Sequence, residues 1–137
     1  MSTYLIAWAV IPDDYGFKST SLTLDEKDNN REVEIRVYAR KDAVNGGLID
    51  DAVEIARKAT EFFYKYFENA NAIPEKIDLI GFPNFPSGAM EHWGFIGFRE
   101  TSLLYSKDSN SLANLQSVAF IISHELAHFV ISIFYIY

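Results

Sequence analysis

His124-Glu125-Leu126-Ala127-His128 lies near the end of this 137-residue chain. On a helix, residues four apart sit one above the other on the same face. His124 and His128 then turn imidazole nitrogens toward one point, where a single metal ion fits. Glu125, one position along, reaches water bound to such a metal and takes its proton. H-E-x-x-H on a helix is the sequence form of that chemistry. The plainer alternative is an ordinary helix whose two histidines and glutamate face solvent or pair with each other. The flanks bear on the choice, because Ile121, Ile122 and Leu126 make the segment very apolar. Burying an unpaired Glu among them is costly, and metal ligation gives the polar residues a reason to be there.

Working outward, the spacing predicts a helix from about Ser111 to at least Phe129, capped by Ser109, Asn110 or Ser111. Leu112, Leu115, Ala119, Ile122, Leu126 and Phe129 recur at helical intervals and form the expected core face. Asp50–Glu68 predicts a second amphipathic helix, with Ile55, Ala59, Phe62 and Tyr66 on one face and Pro74 beyond its end. Between the helices, Lys76–Phe82, Phe95–Phe98 and Ser102–Tyr105 predict short strands. Pro83 and Pro86 stiffen a loop that carries Gly88–Gly94.

The N-terminal third has a different texture. Thr3–Ile11 is almost continuously apolar and predicts a strand buried on both faces. Residues 18–31 are polar, with Lys27, Asp28, Asn29 and Asn30 as an exposed tip. In Glu32–Arg40, Val33, Ile35, Val37 and Ala39 point one way and the charged residues the other, which predicts a half-buried strand. Asn45-Gly46-Gly47 marks a break, and a domain boundary is expected near residues 41–47.

Composition narrows the function classes. The net charge of −7 argues against nucleic-acid binding. There is no cysteine, which excludes a disulfide framework, a thiolate nucleophile and a cysteine-type zinc site. The N-terminus lacks the basic start of a signal peptide. The apolar run from Val118 is interrupted by His124, Glu125 and His128, so no transmembrane segment is expected.

Gly88-Ala89-Met90-Glu91, then Trp93-Gly94, Arg99-Glu100-Thr101 and Leu103-Leu104-Tyr105, precede His124-Glu125-Leu126-Ala127-His128. In this order they resemble the aminopeptidase N type of zinc metallopeptidase, a gluzincin family. Met1–Leu5 and Ile73–Asp78 resemble the family's approaches to its catalytic domain and its substrate loop. The resemblance implies one zinc ion, with His124 and His128 as ligands and Glu125 as general base. It implies that Glu91 binds the free α-amine of a peptide, a carboxylate–ammonium pairing that restricts cleavage to the N-terminus. Gly88, Ala89 and Met90 are implied to lie along the substrate. His92 stands where the family has Asn, which touches fine substrate positioning. Arg99, Glu100 and Tyr105 are expected to support the site and not to react.

The expected fold is α+β. Residues 1–42 are read as the closing strands of an all-β N-terminal domain. Residues 43–137 are read as the first part of a thermolysin-like metallopeptidase domain, ending just after the H-E-x-x-H helix. In the resembled family the third zinc ligand is a Glu on the next helix, and no acidic residue follows Glu125 here. The chain is therefore expected to be an incomplete member with little or no activity alone. The alternative is a non-catalytic fragment that packs against a full-length aminopeptidase through its apolar last helix and tail. The resemblance spans cytosolic and membrane-anchored proteins, so the compartment stays open.

Overall fold

The computed structural model describes residues 7–24 and 30–134. Five strands form one sheet in the order β1-β2-β3-β5-β4. They are β1 (Tyr15–Leu24), β2 (Arg31–Arg40), β3 (Lys76–Phe82), β4 (Ala89–His92) and β5 (Phe95–Arg99). The β1–β2 and β4–β5 pairs are antiparallel, whereas β2–β3 and β3–β5 are parallel. Helices α1 (Lys41–Asn45), α2 (Asp50–Phe67) and α3 (Leu112–Phe134) complete the α+β fold.

Strand β2 follows its pattern. Val33, Ile35, Val37 and Ala39 are fully buried, because alternate residues of a strand share a face. Strand β3 is largely buried, carries Ile77, Leu79 and Ile80 among its apolar residues, and sits between two parallel neighbours, as a central strand does. On the other face of β2, Arg36 lies opposite Asp78 in register. Its guanidinium donates to both carboxylate oxygens, at 2.6 and 3.0 Å. Asp78, only 8% exposed, is thereby neutralised and hydrogen-bonded where it lies. Arg40 grips Glu100 in the same forked way, at 2.7 and 3.2 Å, tying the end of β2 to the turn after β5.

Several expectations change. Residues 7–11 form no strand, and Trp8 is 84% exposed; residues 3–6 of that predicted strand lie outside the described residues. Residues 18–24 of the polar stretch belong to strand β1, since Thr favours strands and Lys suits an edge; of the predicted tip, residues 27–29 lie outside the described residues. Ser102–Tyr105 is a helical turn and irregular chain that buries Leu103 and Tyr105. The buried face of α2 carries Ala52, Ala56 and Thr60, leaving Phe62 59% and Tyr66 70% exposed. Small residues bring the helix close to its neighbours, and the aromatics stack beside each other at the surface, 5.7 Å between ring centroids.

The last helix begins where expected. The Ser111 N–H donates to the Asn114 side chain at 2.9 Å, and Ser111 Oγ accepts from the Asn114 N–H at 3.3 Å, a reciprocal cap. Its core face is Val118, Ile122, Leu126, Phe129 and Val130, whereas Leu112 and Phe120 are exposed. The first turn of α3 thus runs past the core before the stripe engages. Among the described residues, no helix is long and apolar enough to cross a membrane. The sheet is continuous across residue 42, with β2 paired to β3.

Candidate functional site

The site is built where β4 meets α3. Strand β4 is held to β5 by a tight hairpin in which His92 pairs with Phe95, leaving Trp93-Gly94 as a two-residue turn. Gly94 has a φ of +74°, and a Cβ there would lie 3.0 Å from the Lys76 carbonyl oxygen, so a side chain is excluded twice over. The turn brings Trp93 against Phe129 of α3, edge to face at 5.5 Å. That contact anchors β4 over the helix turn that carries Glu125 and His128.

The loop before β4 is equally fixed. Arg99 donates to the carbonyls of Phe85 and Pro86 at 3.0 and 2.9 Å. The Phe85 ring lies on Gly97, where a Cβ would come within 2.8 Å of it. Gly88 gives its carbonyl to the Arg99 N–H at 2.9 Å, so its backbone faces β5. By alternation, Ala89 and Glu91 present backbone groups at the open edge. The Ala89 carbonyl already accepts from Ser87 Oγ at 2.7 Å.

Three of the expected residues come together. Glu91, Glu125 and His128 each offer a ligand atom, and these atoms lie within 4.8 Å of one another. The Glu91 Oε1 to His128 Nδ1 distance is 3.8 Å. On the other side of the ring, His128 Nε2 lies 3.2 Å from His124 Nε2. Two nitrogens bound tetrahedrally to one zinc at 2.0–2.1 Å lie about 3.4 Å apart, so this pair is pre-spaced for a shared ion. His124 is the more exposed of the two and stacks on Phe120 at 6.1 Å.

Glu125 is 6% exposed, and its Oε2 has no hydrogen-bond partner. Burial pushes its carboxyl up to about 7, with the nearby charge of Glu91 and a hydrogen bond to Glu91 adding to the shift. A buried carboxylate beside a second carboxylate and two imidazoles is a donor set that fits a divalent cation. His92, next to Glu91, takes the opposite face of β4 by alternation and stacks on Phe95 at 5.6 Å. Its Nδ1 is buried without a partner. Ala89 and Met90 precede Glu91 on β4, and Gly88 stands just before the strand.

Sequence reasoning treated 88–94 as a loop and missed both β4 and the Trp93–Phe129 contact. The one signal was Trp93-Gly94, a two-residue turn ending in Gly; Ala89-Met90-Glu91-His92 does not alternate.

An α+β frame that sets a His/carboxylate cluster between an edge strand and a helix defines a candidate metal centre. Residues 51–130, more than half of the chain, match the peptidase family M1 domain. The chain is 38% identical to glutamyl aminopeptidase of Bitis rhinoceros over 128 residues. It is 39% identical to aminopeptidase N of Homo sapiens and 42% identical to endoplasmic reticulum aminopeptidase 1 of Mus musculus, again over 128 residues. Each match covers 93% of this chain and 12% of the relative. The chain belongs to peptidase family M1 and spans about one eighth of the length of these relatives.

Proposed function

We propose that this chain carries part of the centre of a zinc-dependent aminopeptidase that removes N-terminal residues from peptides. The observation that carries the reading is the meeting of Glu91 with Glu125 and His128. Its parts come from an edge strand and a helix more than thirty residues apart in sequence (125 − 91 = 34). In this reading His124 and His128 hold zinc through their facing nitrogens, and the ion supplies Lewis acidity. Glu125 takes a proton from the attacking water and returns it to the leaving amine. Glu91 pairs with the substrate's α-ammonium, so only a free N-terminus is aligned. The open edge of β4 receives the peptide backbone as an added strand, along Gly88, Ala89 and Met90. Residues 43–137 then form the opening part of a thermolysin-like domain, and residues 1–42 bring in the strands that precede it.

The test uses matched amino-acid amides with free and acetylated amines. Zinc-dependent release from the free amine alone is expected, with the preference lost in Glu91→Gln. Equal cleavage of both substrates by the unaltered protein would reject the amine-anchor role. Comparison of zinc content in Glu91→Gln and in Glu91→Gln/His124→Ala tests the histidine pair separately.

A further inference from the structure

His128 has a neighbour at each ring nitrogen. Nε2 faces His124 at 3.2 Å, and Nδ1 faces Glu91 Oε1 at 3.8 Å. The aminopeptidase reading uses the first side for zinc, gives Glu91 and Glu125 to the substrate amine and the attacking water, and leaves Nδ1 itself unassigned. On that second side, donor atoms of Glu91, Glu125 and His128 lie within 4.8 Å of one another. Donors bound to one cation at 2.0–2.2 Å lie about 3 to 4 Å apart, so side-chain adjustments alone close the set. Glu125 is buried, and its Oε2 has no hydrogen-bond partner. A buried carboxylate oxygen left without a donor carries a desolvation cost that a cation removes.

We propose that Glu91, Glu125 and His128 form a second divalent-cation site, distinct from the facing nitrogens of His124 and His128. Two carboxylates and one imidazole suit Mn²⁺ as well as Zn²⁺ or Co²⁺. A neutral imidazole offers a lone pair on one nitrogen only. His128 therefore serves one site at a time, and the two sites exclude each other. A cation in the second site also occupies Glu91, so it competes with a substrate α-ammonium. That competition rests on the aminopeptidase reading; the site itself does not.

The experiment counts bound Mn²⁺ by its electron paramagnetic resonance signal, using the full chain. His124 is exposed, so His124→Ala keeps the fold while removing the first site. The second site predicts that His124→Ala still binds about one Mn²⁺. Adding Glu91→Gln or Glu125→Gln to that variant is expected to weaken binding by at least about tenfold, the lower end of what even an outer partner of a metal costs. Alanine amide should displace the Mn²⁺ from His124→Ala, and its acetylated form should not. Loss of Mn²⁺ in His124→Ala, or binding indifferent to both glutamine changes, overturns the site. If Glu91→Gln then still holds zinc and loses it on adding His124→Ala, the aminopeptidase reading stands without the second site.

Discussion

Two buried carboxylates in this molecule have opposite company. Asp78 and Glu125 are similarly hidden, 8% and 6% exposed. Asp78 is clasped by Arg36 through two hydrogen bonds and is paired with Lys76. Glu125 has no Arg or Lys ion pair among the described residues; it faces Glu91, and one of its oxygens is unpartnered. The first arrangement satisfies its charge on the spot and holds β2 to β3. The second disfavours its charge: burial and Glu91 push the Glu125 carboxyl up to about 7. Groups perturbed in this way cluster at functional sites.

The comparison breaks most visibly through substitution. Asp78→Ala leaves the Arg36 guanidinium half-buried without its partner, and about 3–5 kcal/mol of folding stability should be lost in urea unfolding. Glu125→Gln should cost nothing in the metal-free chain at pH 8 and should stabilise it. If the two variants lose stability equally, the contrast between the carboxylates is wrong.

The pH dependence gives the next largest effect. The Glu125 carboxyl stands at about 7 in the folded chain against an ordinary 4.5, so the folded state holds this proton more tightly than the unfolded state. Its contribution to stability is full below about pH 4.5 and is lost as pH rises through about 7. The metal-free chain should lose up to about 3 kcal/mol across that window. Glu125→Gln should flatten this component of a denaturation series run from pH 4.5 to pH 8. An unchanged slope in the variant would place the titration elsewhere.

The scaffold beneath the site gives a smaller effect. Gly97→Ala puts a methyl group into the Phe85 ring, and about 1–3 kcal/mol of destabilisation is expected from such overpacking. Thermal unfolding followed by aromatic circular dichroism reads both the loss and the displaced ring. Smallest is Phe62→Ser on the exposed flank of α2, within about 0.5 kcal/mol of the parent. A larger loss would show that Phe62 is packed in solution, contrary to its 59% exposure.

Legibility followed burial. Strand β2 was readable because its apolar residues alternate and one whole face is covered. The α2 helix was readable as a helix, but its inward face only in part: Ile55 and Ala59 pack against the core, whereas Phe62 and Tyr66 do not. Phe62 and Tyr66 stay exposed while Ala52, Ala56 and Thr60 are buried and Phe63 and Phe67 pack against the core, and periodicity alone cannot rank two competing stripes. Strand β1 was hidden by its polar composition, since its pairing with β2 rests on backbone groups. Thr3–Ile11 misled in the other direction: the apolar run suggested burial, whereas Trp8 and Val10 are exposed.

The sequence by itself determined that His124 and His128 stand together: histidines four apart on a helix share a face whatever surrounds them, because 3.6 residues make a turn. It also determined the order of the motifs, and hence the family. Only the tertiary structure decided that Glu91 lies against Glu125 and His128. That meeting depends on a glycine turn, an aromatic contact and the sheet order that leaves β4 at the edge. These are long-range packing outcomes, and no local spacing encodes them.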